Sequence, residues 1–228
     1  MTKRIDPSLI PNRPDLRFES ALWDCGFSRV AGIDEAGRGC LAGPVAAGAV
    51  LLPAALDQFK ALSNVMDSKQ ISAAQRLEAR QQILETALSW GIGFASAREI
   101  DCLGIVPATK LAAMRAISEL SVNPDYLLLD YLTLPDLTHP QTSLIKGDAR
   151  SLSIACASIL AKTERDAWMV QKADSFPVYD WKSNKGYGTQ KHRSAILEHG
   201  PSPEHRRSFA PLKEQLLQRR LFDENTFN

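Results

Sequence analysis

Four carboxylates stand where a folded chain rarely puts charge. Asp34 and Glu35 close the apolar run Ser28 to Asp34, Asp130 interrupts the run Tyr126 to Leu132 (YLLLDYL), and Asp148 sits at the entry to a helical stretch from about Ser151 to Ala173. A charge in a buried strand is costly unless it is paired or bound to a cation. Four acids at the ends of separate elements can converge on one cluster, and their mutual repulsion then demands a divalent ion. All-oxygen ligands suit Mg²⁺ or Mn²⁺. Two such ions about 3.5–4 Å apart are a common engine for cutting phosphodiesters, one activating water and the other steadying the leaving oxygen. Each acid alone also has a plainer reading: Asp148 as a helix N-cap, Asp130 as an arginine's partner, Asp34-Glu35 as a solvated strand end.

The elements that must carry these acids follow from periodicity. Ser28 to Asp34 reads as a short buried strand, with Gly37-Arg38-Gly39 as a tight turn after it, and Val45 to Leu52 as a second strand closed by Pro53. Ser72 to Trp90 reads as helical, with Ile83, Leu84, Ala87 and Leu88 on one face, and Gly91 to Ala97 as a third strand. Val106 to Leu120 reads as a helix with Pro107 in its first turn. Tyr126 to Leu132 is nearly continuous in apolar residues, as expected of a strand covered on both faces, and Thr142 to Ile145 is a further short strand. Three opening strands followed by strand–helix alternation predict an α/β fold, a mixed sheet flanked by helices, with a helical, turn-rich C-terminal segment. The expected organisation is an N-terminal extension over 1–27, a main domain over 28–180, and a helical C-terminal segment over 181–228.

Composition narrows the classes. At 228 residues, with 44% hydrophobic and 23% charged residues, the chain suits a folded domain rather than a disordered or fibrous one. Charges along Met1 to Ser20 argue against a secretory signal. Gly43, Pro44, Gly48 and Pro53 break up the apolar stretch Cys40 to Leu56, which therefore does not read as a membrane span. A cytoplasmic, monomeric protein is the expectation. Cys25, Cys40, Cys102 and Cys156 show no C-x-x-C spacing, which argues against zinc and against a disulfide framework. Residues 181–228 hold nine Lys/Arg against five Asp/Glu, while the first 180 hold 18 against 21. A basic end beside a more acidic body suits a nuclease that needs carboxylates for metal and cations for substrate. No G-x-S-x-G elbow or similar nucleophile motif is present.

Local motifs sharpen this reading. Asp34-Glu35-Ala36-Gly37-Arg38-Gly39, followed by Leu41 to Val45, closely resembles the signature of the ribonuclease HII family of type 2 ribonucleases H. So do Lys146 to Ala155 continuing through Ala157 to Lys162 and Arg165-Asp166, the triplet Asp67-Ser68-Lys69, Gly186 to Thr189 with His192, and His205 to Phe209. The blocks come in the family's order over about Val30 to Pro211. The resemblance implies a ribonuclease H-like fold and metal-dependent endonuclease activity. The RNA strand of RNA–DNA hybrids and single ribonucleotides embedded in duplex DNA would be cut, leaving 5′-phosphate and 3′-hydroxyl ends, a role in ribonucleotide excision repair. It assigns Asp34, Glu35, Asp130 and Asp148 as metal-binding and catalytic carboxylates for Mn²⁺ or Mg²⁺, one or two ions, the second arriving with substrate. At Asp130 the family commonly has Asp-Gly, whereas Tyr131 follows here. Asp130 is nevertheless the acid inside the apolar strand, and Asp125 and Asp136 lie at or past its ends.

A ribonuclease H must tell RNA from DNA by the 2′-hydroxyl. Glycine lets a backbone approach a sugar closely because no Cβ intervenes, so Gly37, Arg38 and Gly39, beside the first two acids, suit that contact; they equally suit a tight turn. The resemblance gives Tyr187, between Gly186 and Gly188, the role of sensing the RNA–DNA junction. Lys69, Lys146, Arg38, Lys185, His192, Arg206 and Arg207 are candidate phosphate contacts, with the alternative that Arg206 and Arg207 brace the C-terminal segment. Gln218 to Phe222 resembles the Q-x-x-L-F peptide that docks on sliding clamps, and reads equally as an amphipathic helix packing on the domain.

Overall fold

Apolar strands that can be covered on both faces form the centre of the molecule. The computed structural model describes residues 5–6, 10–54, 61–66 and 71–214. Helix α1 (Arg17–Asp24) precedes β1 (Val30–Ala36) and β2 (Val45–Leu51). Then come α2 (Ala73–Thr86), β3 (Ser89–Ala95), α3 (Ala97–Leu103), α4 (Ile105–Ser118), β4 (Tyr126–Asp130) and β5 (Gln141–Leu144). A short 3₁₀ turn (Gly147–Ala149) leads into the long α5 (Leu152–Ala173), followed by α6 (Trp181–Asn184) and α7 (Gln190–His199). The sheet order is β3-β2-β1-β4-β5. β1, β2 and β3 pair antiparallel, and β4 and β5 add in parallel on the other side of β1. This is the mixed, helix-flanked sheet that the strand pattern predicts.

One face of the sheet packs Ala31, Ile33, Ala47 and Ala49 against Ala108, Ala112 and Ala116 of α4. The other face packs Val50 and Leu52 against Leu152, Cys156 and Ile159 of α5. Small residues let α5 lie close. A Cβ on Gly32 would fall 2.2 Å from the Ser153 carbonyl carbon, so glycine there is what lets the start of α5 rest on β1 two residues before Asp34. Ser151 caps α5, its hydroxyl accepting from the Ile154 N–H.

The element boundaries depart from the sequence expectation in three places. Helix α2 is capped by a reciprocal Ser72–Gln75 box and ends at Thr86, because Leu88 N–H already bonds Leu51 O and the chain joins the sheet from Ser89. Sheet pairing overrides the helical pattern of Leu84 to Leu88. Helix α3 was not anticipated, although Ser96 and Glu99 form a second reciprocal capping box that is visible in sequence. Strand β4 ends at Asp130 rather than Leu132, since Tyr131 turns to φ +51°.

Helix α1 is tied to the sheet by a buried acid. Glu19 Oε1 accepts from Ser151 Oγ at 2.6 Å, Ser153 Oγ at 2.6 Å and Ser153 N at 2.9 Å. Burial, opposed by these bonds, raises the carboxyl's pKa. The C-terminal segment packs through Trp181, Tyr179 and Leu212 on Leu41, Ala42 and Met169.

Candidate active site

Parallel pairing of β1 with β4 brings their C-terminal ends side by side, and the turn after β5 returns beneath them. Asp34 from β1, Asp130 from the end of β4 and Asp148 from the 3₁₀ turn therefore meet, each offering a carboxylate oxygen within 4.8 Å of the others. Asp34 and Asp148 are buried and Asp130 is half-buried. The Gly147 N–H donates to Asp130 Oδ1 at 2.7 Å, tying the turn to β4, and within β1 the Glu35 N–H donates to Asp34 Oδ1 at 2.7 Å. Lys146, exposed and at φ +54°, reverses the chain just ahead of Asp148.

Burial pushes the Asp34 carboxyl well above the usual range, and the neighbouring charges of Glu35, Asp130 and Asp148 push it further, against a lowering bond from Ser158. Three clustered acids, two of them buried, form an oxygen donor set that fits a hard divalent ion. Glu35 lines the same cleft, but its Oε1 is held by Arg38 Nη1 at 3.0 Å.

The cleft is lined by Asp34, Glu35, Gly37, Asp130, Lys162 and Tyr187. Tyr187 is 42% exposed, and its ring lies under Lys162 Nζ at 5.2 Å. Burial raises its hydroxyl's pKa, so the group stays a donor at neutral pH. Lys162, Ser158 and Arg76 also face this cleft, and sequence reasoning gave none of them a role. The i, i+4 spacing of Ser158 and Lys162 on α5, which puts them on one helix face, was the available signal.

The two glycines of the turn differ. Gly37 has φ +88°, and a Cβ there would fall 1.9 Å from Arg165 Nε; Gly39 has nothing within 4 Å of its Cβ position. Gly37 is demanded by the protein's interior, while Gly39 leaves its surface open.

Two expected phosphate contacts lie elsewhere. Arg206 is fully buried and donates to Gly37 O, Arg38 O, Gly43 O and Pro44 O at 2.7–3.0 Å. It braces the glycine turn and the Gly43–Pro44 stretch, a role neither of the two sequence readings (a phosphate contact or a brace of the C-terminal segment) had given it. Desolvation lowers its pKa to about 10, which still leaves it charged at neutral pH. His192 is also fully buried, with its ring nitrogens facing Tyr187 O, His205 and Trp181, so it cannot reach a phosphate. Arg38 and Arg207 are exposed. Lys69 and Gln218 to Phe222 lie outside the described residues. No helix among the described residues is long and apolar enough to cross a membrane.

Comparison with known proteins now bears on this geometry. The family model described as Ribonuclease HII matches residues 31–212. Ribonuclease HII of Synechococcus sp. (strain JA-3-3Ab) is 52% identical over 202 residues, covering 89% of this chain and 90% of that protein. Ribonuclease HII of Chloroflexus aurantiacus is 49% identical over 205 residues, covering 90% and 97%. Among solved structures, ribonuclease H2 from Pyrococcus horikoshii OT3 superposes with a TM-score of 0.68 at 20% identity, covering 82% of this chain and 96% of that one. Bst-RNase HIII in complex with Mn²⁺ gives 0.63 at 21% identity, covering 87% and 73%. These two likenesses establish the fold, and the family match with close relatives establishes the rest: the chain belongs to the ribonuclease HII family and is a divalent-metal-dependent ribonuclease H endonuclease acting on nucleic acid.

Proposed function

We propose that the cleft hydrolyses the RNA strand of RNA–DNA hybrids and incises duplex DNA at a single embedded ribonucleotide, leaving 5′-phosphate and 3′-hydroxyl ends. The observation that carries this reading is that Asp34, Glu35, Asp130, Gly37 of the glycine turn and Tyr187 line one cleft, with Asp148 grouped with Asp34 and Asp130. Asp34, Asp130 and Asp148, with Glu35 beside them, would hold Mg²⁺ or Mn²⁺. Bound there, one or two such ions supply the charge that favours in-line attack by water and departure of the 3′-oxygen.

The chain's own groups handle recognition. Gly37, Arg38 and Gly39 offer main-chain groups to the ribose 2′-hydroxyl, and the bare edge at Gly39 admits the sugar. The Tyr187 hydroxyl bonds the same ribose, and its ring stacks on the following deoxyribose. Arg38, Lys69, Lys146 and Lys185 contact phosphates, so affinity should fall with salt. The segment over 181–228, which carries Tyr187, completes the substrate site of the catalytic domain over 28–180. We place the protein in the cytoplasm as a monomer.

One assay tests this: a duplex with one embedded ribonucleotide beside a uniform hybrid, with Mg²⁺ and Mn²⁺ compared. Incision of both is expected, and Tyr187→Ala should impair the single-ribonucleotide substrate more. Equal loss on the two would overturn the junction role.

A sliding clamp is a further proposed partner. RNase HII from Archaeoglobus fulgidus, seen in a complex with PCNA, superposes at TM-score 0.67 and 24% identity, covering 79% of this chain and 95% of that one. Gln218 to Phe222 carries the matching pattern here. Clamp pull-down should be lost on deleting residues 218–228; absence of binding by the full chain would dispose of the idea.

A further inference from the structure

Behind Tyr187 lies a chain of buried polar groups that phosphodiester chemistry does not use. His192 Nδ1 is 2.9 Å from Tyr187 O, and its Nε2 is 3.1 Å from both Trp181 Nε1 and His205 Nε2. His205 Nδ1 is 2.9 Å from the Ser202 backbone N. Both rings are at most 1% exposed.

Donor and acceptor rules orient every link. The Ser202 N–H can only donate, so His205 Nδ1 carries the lone pair and the His205 proton sits on Nε2. That proton points at His192 Nε2, whose one lone pair it shares in a three-centre bond with the indole N–H of Trp181, a donor only. His192 Nε2 is therefore bare, its proton is on Nδ1, and it donates to Tyr187 O. Burial lowers the pKa of both rings, His205 to about 3, which keeps them neutral as the chain of bonds requires.

The far end of this chain reaches the glycine turn. His205 bridges Ala42, and the Arg206 N–H donates to Leu41 O while its guanidinium holds Gly37 O and Arg38 O. Gly186 O accepts from the Leu41 N–H at 2.8 Å. His205 thus reaches Tyr187 O through His192, while the adjacent Arg206 holds the glycine turn.

We propose that His192 and His205 are positioning residues, a tautomer-locked relay that sets Tyr187 against the Gly37–Gly39 turn and thereby sets selectivity for a single ribonucleotide. The proposal rests on the junction reading of Tyr187. Long-range ¹H–¹⁵N correlation spectra of the unaltered chain at neutral pH should show the Nδ1–H form for His192 and the Nε2–H form for His205. The opposite tautomer at either ring would overturn the relay without touching the role of Tyr187.

Kinetics give the second arm. His192→Phe keeps a ring and loses the bond to Tyr187 O; KM for the embedded ribonucleotide should rise about three- to tenfold, the worth of one hydrogen bond, with kcat on a long hybrid nearly unchanged. His192→Asn, which can still present an N–H to Tyr187 O, should recover most of the loss. If Tyr187→Ala is selective for the single ribonucleotide but His192→Phe is not, the relay is wrong and the tyrosine's role survives. If Tyr187→Ala is itself unselective, the junction reading fails, and the relay's claim on selectivity with it.

Discussion

The acid cluster and the recognition segment are built by opposite means. Asp34 and Asp130 stand on neighbouring strands whose position is set by main-chain pairing and by a core covered on both faces. Tyr187 stands on a loop held by side chains that reach its main-chain carbonyls, Arg165 to Lys185 O and His192 to Tyr187 O, and the glycine turn is held in the same way by Arg206 to Gly37 O. The first arrangement concentrates negative charge; the second buries neutral rings and bonded guanidinium groups.

The largest expected effect breaks the first region. Asp34→Asn should lower turnover by about a thousandfold or more while leaving duplex binding within a few-fold. Substantial cleavage by that variant would remove Asp34 from the metal site.

The glycine turn joins the two regions, and its two glycines should separate them. Gly37→Ala meets Arg165 at a positive φ and should destabilise the fold by about 2–4 kcal/mol, read from the denaturant midpoint. Gly39→Ala meets no protein atom, so stability should hold while cleavage falls. Equal stability losses in the two would show that Gly39 also serves the interior.

Acid and base should stress the regions in opposite directions. His205 has its pKa lowered to about 3, so its contribution is complete above about 6.5 and is lost as pH falls from there. Stability should decline by about 1.4 kcal/mol per pH unit for that one group. Asp34 has its pKa raised, so its contribution is present below the unfolded value of 3.8 and is lost as pH rises through the folded one. Mn²⁺ should offset that second loss, raising the melting temperature more at pH 8 than at pH 5. A metal-induced gain that is the same at both pH values would contradict the protonation argument.

The smallest effect concerns the seam after β4. Tyr131, 57% exposed, sits at φ +51°, where a side chain costs about 1–2 kcal/mol. Tyr131→Gly should therefore stabilise the chain slightly, by about 1 kcal/mol after glycine's own entropy cost. A loss of stability would mean that the tyrosine makes compensating contacts.

Much of the fold was legible because sheet strands covered on both faces are nearly unbroken in apolar residues, as in Val45 to Leu51 and Tyr126 to Asp130. Helix α3 is legible in its Ser96–Glu99 capping box. The end of α2 was not legible: Leu88 looks helical, and only pairing with Leu51 draws it into the sheet. His192 and Arg206 look like surface cations in sequence because residues of their types are seldom fully buried, and only tertiary packing buries these two.

Sequence alone determined the chemistry, since an acid in an apolar strand is conspicuous wherever the strand goes, and the spacing of motifs identified the family. Tertiary structure decided which acids meet and which cations remain at the surface. Asp34, Asp130 and Asp148 are brought together by a parallel pairing between strands that lie far apart in the chain. Gly37 and Gly39 read alike until Arg165 packs against one and leaves the other bare. The physical reason is common to all of these. Charge and conformational preference are local properties of a residue, whereas desolvation and hydrogen-bond partners are supplied by whatever the rest of the chain brings near.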